Sequence, residues 1–274
     1  MTKAMVSIRR AVAITGVAAA SMTAGSCGIS RQQEVEIGAS YSQQINQQLP
    51  IVNDAQITGY INQLGEEIAS AGGGQYEYTF YVVNSDVINA FALPGGWIYI
   101  NRGVIERSDN MAELAGVIAH EIGHVEERHG AEMMERQQAA NLGINAAYIL
   151  LGRAPGQLEQ AGIQVAGSAV FAGYSRGAEN EADEVAVDLL IRSNIDPNGL
   201  TTFFMELLEE SGGNSSALAQ WFSTHPLTED RIQHVRQVIQ DARIPASSNL
   251  RVNSQSYETV KARMRSYPAA PQEQ

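Results

Sequence analysis

Two histidines four residues apart, with a glutamate beside the first, stand in a stretch almost empty of other polar side chains: His120-Glu121-Ile122-Gly123-His124. Ala115, Gly116, Val117, Ile118, Ala119, Ile122 and Val125 surround them, so the segment is apolar on nearly every side. The pattern predicts a long helix from Asn110 to about Met134, opened by Ser108 or Asp109 as N-cap. Positions four apart share a helix face, so both imidazoles can reach one ion. Glu121 is turned by about 100° from His120, beside such an ion rather than on it. Burying polar groups without partners costs about 2–7 kcal/mol each, and a divalent cation supplies the partner.

Catalytic zinc uses three protein ligands and keeps a fourth position open, so two histidines fall one short. Fifty-five residues after His124 comes Glu179-Asn180-Glu181-Ala182-Asp183. Glu179 and Asp183 are four apart and share a helix face. Glu179 is assigned to the metal. Asp183 is assigned to the free N–H of a ligating histidine, fixing its tautomer. Glu181 and Glu184 read as a solvated acidic face. His129 lies nine residues beyond His120, which turns it off the ligand face of a continuous helix; His129 and His234 read as surface residues.

Composition bounds the rest. The chain has 274 residues with 44% hydrophobic and 18% charged, an ordinary globular balance sufficient for one or two domains. A net charge of −12 argues against nucleic-acid binding, which needs a basic face. With Cys27 as its single cysteine the chain can form no intramolecular disulfide. Residues 1–26 read as a targeting segment: Lys3, Arg9 and Arg10 precede the short apolar run Ala11 to Ala20, and small residues lead to Cys27. This resembles a bacterial lipoprotein signal in which Cys27 is lipidated, although Ala24 stands where leucine is usual. The alternative is ordinary secretion. Removing the three basic residues from 18 leaves 15 against 30 acidic, a mature charge of −15.

The expected organisation is residues 27–33 as lipidated N-terminus and tether, 34–242 as the main domain, and 243–274 as a C-terminal helix and flexible tail. Helices are predicted over Glu34–Gln48, Asp54–Ser70, Arg176–Ser193, Pro197–Glu210, Thr228–Ala242 and Tyr257–Ser266, the second ended by Gly72-Gly73-Gly74. Aromatic and β-branched residues predict strands at Tyr76–Val83, Val87–Ala92 and Trp97–Ile100, with Pro94-Gly95-Gly96 as a turn. The result is an α+β fold, mainly α, with a small sheet. Residues 139–151 and 161–173 form an apolar pair too short to span a bilayer, read as helix-on-helix core or as a membrane-dipping or partner-binding hairpin.

The H-E-x-x-H segment, Glu179-x-x-x-Asp183 within Tyr174 to Asp183, Asn89 to Gly96 before Trp97 to Ile100, and Ser223-Thr224-His225-Pro226 followed by Arg231-Ile232 occur in one order. Together they resemble the gluzincin metallopeptidases of the HtpX and CAAX-prenyl-protease kind, over roughly residues 34–242. The closer likeness is to the soluble periplasmic lipoprotein branch (LoiP-, YcaL- and BepA-like), without a tetratricopeptide domain. The resemblance implies a zincin-type domain with the motif helix at a cleft lined by the sheet, one zinc ion per chain held by His120, His124 and Glu179, and Glu121 as general base. Asn89, Ala90, Phe91 and Ala92 would form an edge to which an extended peptide adds. His225 would either donate to the oxyanion or cap the metal in a resting state. The implied activity is hydrolysis of misfolded or misassembled envelope proteins; the alternative is a metal-bound chaperone that seldom cuts. Gly28 after the cysteine, where aspartate would retain a lipoprotein at the inner membrane, favours the periplasmic side of the outer membrane through a lipid anchor. The alternative is a soluble periplasmic protein. Oligomeric state stays open.

Overall fold

The computed structural model describes residues 28–138, 173–211 and 216–270. Cys27, the targeting segment, the expected apolar pair and residues 271–274 lie outside them.

The chain opens with α1 (Arg31–Gln48) and α2 (Ala55–Ala71). Ile57, Ile61, Leu64 and Ile68 fall on one face of α2 and are all buried; each contributes about 1.5–3 kcal/mol by leaving water. Asp54 caps the helix by accepting from the backbone N–H groups of Gln56 and Ile57. α1 starts at Arg31, inside the segment expected to be a tether, because Ser30 and Gln33 form a reciprocal capping box there. Ile29 is also held: its N–H donates to Glu135 and its carbonyl accepts from Arg128.

Three short strands follow: β1 (Thr79–Val83), β2 (Ala90–Leu93) and β3 (Trp97–Asn101). Their order is β1-β3-β2, with β1 parallel and β2 antiparallel to β3. β2 is thus an edge strand, and among the described residues β3 is its only strand partner. Gly95 and Gly96 make the β2–β3 turn at φ of 83° and 110°, a region that side chains resist. Strand alternation splits the sheet. Phe80, Val82, Ala90, Ile98 and Ile100 join the main core, while Leu93 and Tyr99 pack with Tyr41 and Ile45 of α1. Tyr81 and Phe91 stack on either side of Tyr99, centroids 4.9 and 4.8 Å away.

The remaining elements are α3 (Arg102–Arg107), α4 (Met111–Glu126), α5 (Arg176–Arg192), α6 (Asn198–Ser211), α7 (Ser216–Thr224), α8 (Glu229–Asp241) and α9 (Gln255–Arg265). α4 is the centre of the molecule: every residue from Met111 to Val125 is buried. Its N-cap is Asn110, one residue later than expected, with Asn110 accepting from the Glu113 N–H. Its end also differs. The expected helix to Met134 is broken at Glu127 and Arg128, where Arg128 takes a left-handed φ of 61°, and helical residues 129–138 follow the break. α3 and α7 were not expected. Nor is the C-terminus free at its start: the Pro268 and Ala269 carbonyls accept from Asn84, and Pro268 also from Arg102.

Candidate active site

The motif helix and α5 cross in close contact because Gly123 has no side chain. A Cβ there would stand 2.6 Å from the Ala182 carbonyl oxygen of α5. This crossing brings Glu179 and Asp183 against His120 and His124. Ser175 caps α5, accepting from the Ala178 N–H, and Glu179 lies in the first turn, where the helix dipole favours a carboxylate. His225 arrives from the other side. Its N–H donates to the Trp221 carbonyl, extending α7 by one residue before Pro226 stops it. The Trp221 ring lies 5.0 Å from the imidazole centroid.

One ligand atom from each of His120, His124, Glu179 and His225 falls within 4.8 Å of all the others. His120 Nε2 lies 3.0 Å from His124 Nε2 and 3.3 Å from His225 Nδ1. Glu179 Oε1 is 3.4 Å from His124 Nε2 and 3.2 Å from His225 Nδ1. Tetrahedral bonds of about 2.0–2.2 Å separate donors by about 3.3–3.6 Å, and the four distances here, 3.0–3.4 Å, lie at or just under that spacing. The chemistry agrees. His120 Nδ1 is 2.9 Å from the Asp183 carboxylate, to which it donates, so a neutral His120 presents a bare Nε2 to the cluster. Two imidazole nitrogens so placed, with a carboxylate beside them, want a cation among them.

Glu121 lies next to the donors, fully buried, with Oε1 3.5 Å from His225 Nε2. Neither of its oxygens has a hydrogen-bond partner. Burial raises this carboxyl above its usual range, against the pull of His225 and His120. Glu179 is its opposite. Burial alone would raise it, but the His225 and Arg231 charges hold it far below the ordinary carboxylate range. Burial pushes His120 down, yet the Asp183 and Glu179 carboxylates outweigh that and lift it to about 9. His124 is driven well below its usual value by burial.

Arg231 of α8 completes the buried charge set. Its Nε and Nη2 donate to Asp183 at 2.6 and 2.8 Å, its Nη1 pairs with Glu179, and the guanidinium lies 4.5 Å over the Phe204 ring. Sequence reading placed Arg231 only as part of a block of residues. Tyr174 was likewise placed only within a block and given no role; its ring stacks on His124 at 3.8 Å.

The reading of His129 as a surface residue is overturned. It is 3% exposed, with Nδ1 2.9 Å from His124 Nδ1 and Nε2 3.0 Å from Glu181 Oε2. The helix-rotation argument failed because the helix does not continue past Glu126. Glu181 is solvated, as expected, but it is engaged with His129. His234 is half-buried and pairs with Glu184. Asn89, Ala90, Phe91 and Ala92 sit at the sheet edge, and the Asn89 side chain accepts from Thr224, next to His225. A cleft of about 570 Å³ is lined by Asn89, Phe91, Val83 and Asn101, among others.

The chain's similarities agree with this geometry. Peptidase family M48 matches residues 55–239. The beta-barrel assembly-enhancing protease of Yersinia pestis is 35% identical over 221 residues, 78% of this chain and 45% of that protein. Metalloprotease YcaL of Escherichia coli (strain K12) is 32% identical over 166 residues, 60% of this chain and 62% of that one. Mitochondrial metalloendopeptidase OMA1 of Schizosaccharomyces pombe is 29% identical over 177 residues, 65% and 51% of the two chains. This chain spans less than half the length of the beta-barrel assembly-enhancing proteases it matches. With a helix-borne H-E-x-x-H segment, four side chains that could hold a metal ion and a matched region covering most of the chain, the protein belongs to peptidase family M48.

Proposed function

We propose that this chain is a zinc-dependent endopeptidase in which His120, His124 and Glu179 hold one zinc ion and Glu121 moves the proton. The observation that carries the reading is the fully buried Glu121, unpartnered at both oxygens and adjacent to four convergent donors. Zinc bound there would supply Lewis acidity, lowering the pKa of a water toward about 7 and polarising the scissile carbonyl. Glu121 then takes a proton from the attacking water at a carboxylate oxygen and delivers it to the leaving amine nitrogen. Its raised affinity for protons suits both halves of that exchange. Asp183 keeps His120 in the tautomer with Nε2 free, and Arg231 offsets the two buried carboxylates. Glu121→Gln should retain zinc and lose casein hydrolysis by more than the ~10²–10⁴-fold typical of a general base. Substantial zinc-dependent cleavage by a clean preparation of that variant would overturn the mechanism.

Between the two roles open to His225, the geometry favours the cap. Its Nδ1 stands among the donors, and a fourth protein ligand would leave a zinc ion no position for water. His225 is 1% exposed and the three other donors no more so, which supports reading it as a resting arrangement that substrate must open. His225→Ala should increase hydrolysis of an unfolded protein. A fall of about 10²–10³-fold, the loss typical when an oxyanion donor is removed, would restore the other role.

The substrate strand is proposed to add to the β2 edge at Asn89, Ala90, Phe91 and Ala92 by backbone hydrogen bonds. The substrates are proposed to be misfolded or misassembled envelope proteins, a reading supported by the names of the assembly-enhancing relatives. The enclosed site also suits a metal-bound chaperone that seldom cuts; full rescue of a deletion strain by Glu121→Gln would favour it. Cys27 is proposed as a lipid anchor on the periplasmic side of the outer membrane. No helix among the described residues is long and apolar enough to cross a membrane. Cys27→Ser should release the protein from the membrane pellet.

A further inference from the structure

We infer that His129 and Glu181 form a positioning relay that sets the tautomer and orientation of His124, so that a residue outside the donor cluster tunes metal affinity. The inference rests on the proposed metal site and deepens it. The hydrogen count along the chain of contacts carries it. Glu181, with 63% of its side chain exposed, presents Oε2 3.0 Å from His129 Nε2. A carboxylate only accepts, so His129 Nε2 bears the hydrogen and the neutral ring leaves Nδ1 bare. His129 Nδ1 is 2.9 Å from His124 Nδ1, and of two nitrogens so close one must donate. The donor is therefore His124 Nδ1. That leaves His124 Nε2 with its lone pair directed at the donor cluster, 3.4 Å from Glu179 Oε1. With the hydrogens reversed, His129 would turn a bare Nε2 to the carboxylate, and His124 would point an N–H at His120 Nε2, 3.0 Å away.

The backbone explains how His129 reaches this place. It lies only five positions beyond His124, and the left-handed Arg128 turns the chain back so that the two rings sit 5.0 Å apart. Arg128 is held in turn by its pairing with Glu34 and the Ile29 carbonyl. Tyr174 stacks on the His124 ring and leaves its two nitrogen edges to His129 and the donors. His129 is not one of the four donors; its contacts are with His124, Glu181 and the Tyr174 ring, so it reaches the cluster through His124.

The test measures zinc affinity by competition with a chelating dye, together with the visible spectrum of the Co²⁺-loaded protein. His129→Leu should bind zinc about 10–100-fold more weakly, as is usual when a partner of a ligating histidine is removed. His129→Gln can accept from His124 and donate to Glu181, and should bind zinc within about threefold of wild type with the wild-type Co²⁺ bands. Equal affinity in the Leu and Gln variants, whether both normal or both lost, overturns the relay. Should His129→Leu fail to fold, Glu181→Ala decides: its exposed side chain leaves the core untouched, so unchanged zinc affinity and Co²⁺ bands overturn the relay and weakened binding supports it. His124→Ala is the control for the site itself. Zinc binding at wild-type strength in that variant would sink the metal site, a different result from any that sinks the relay.

Discussion

His120 and His124 are one helical turn apart and equally buried, but they are held from behind by different means. His120 donates directly to Asp183, itself locked by two hydrogen bonds from Arg231, and all three side chains are out of water. His124 meets a second imidazole first, and its carboxylate, Glu181, stands in solvent. The direct carboxylate lifts His120 to about 9, whereas burial leaves His124 well below its usual value. A buried clamp of this kind is inseparable from the fold, because removing any member strands a charge. A clamp that ends in solvent can change strength without unfolding the protein. One site thus combines a fixed ligand and an adjustable one.

The largest effect that separates the two sides should come from Asp183→Ala. It leaves Arg231 and His120 without their buried partner and should cost about 3–5 kcal/mol in chemical denaturation, the scale for a broken buried ion pair. A loss below about 1 kcal/mol would show that water reaches this side as it reaches Glu181. Tyr174→Leu should have an intermediate effect of about 0.5–1.5 kcal/mol, the value of a ring stack beyond its burial, measured by thermal unfolding. The smallest belongs to Glu181→Ala, which should change stability by less than about 0.5 kcal/mol. A loss of about 3 kcal/mol or more, the scale of a broken buried ion pair, would place that carboxylate inside the protein and erase the contrast.

Much of one face of the site was legible in the residues. The four-residue spacing of His120 and His124 puts them on one side of any helix, and the apolar flanks demand that the helix be buried. The same spacing pairs Glu179 with Asp183 on α5. The edge position of β2 followed less directly: three short strands were readable, but their order β1-β3-β2 depends on contacts between strands that local pattern does not specify. α7 was invisible because its nine residues carry no acid or base to mark either end. His129 was misplaced for one physical reason. Helix rotation was extrapolated through Arg128, whose left-handed backbone is uncommon for a residue other than glycine.

Periodicity and residue chemistry, which act over a few residues, determined the secondary structure, the motif helix and the carboxylates able to serve it. Relations between distant segments were decided only in three dimensions. Gly123 permits an α4–α5 crossing close enough to join donors 55 residues apart, but nothing in its own neighbourhood names Ala182 as the partner. The arrival of His225 as a fourth donor, the insertion of Arg231 between Asp183 and Glu179, and the turning of His129 onto His124 depend on how whole elements pack. Burial then assigns these groups their partners, because a polar side chain removed from water must find one in the protein or in an ion.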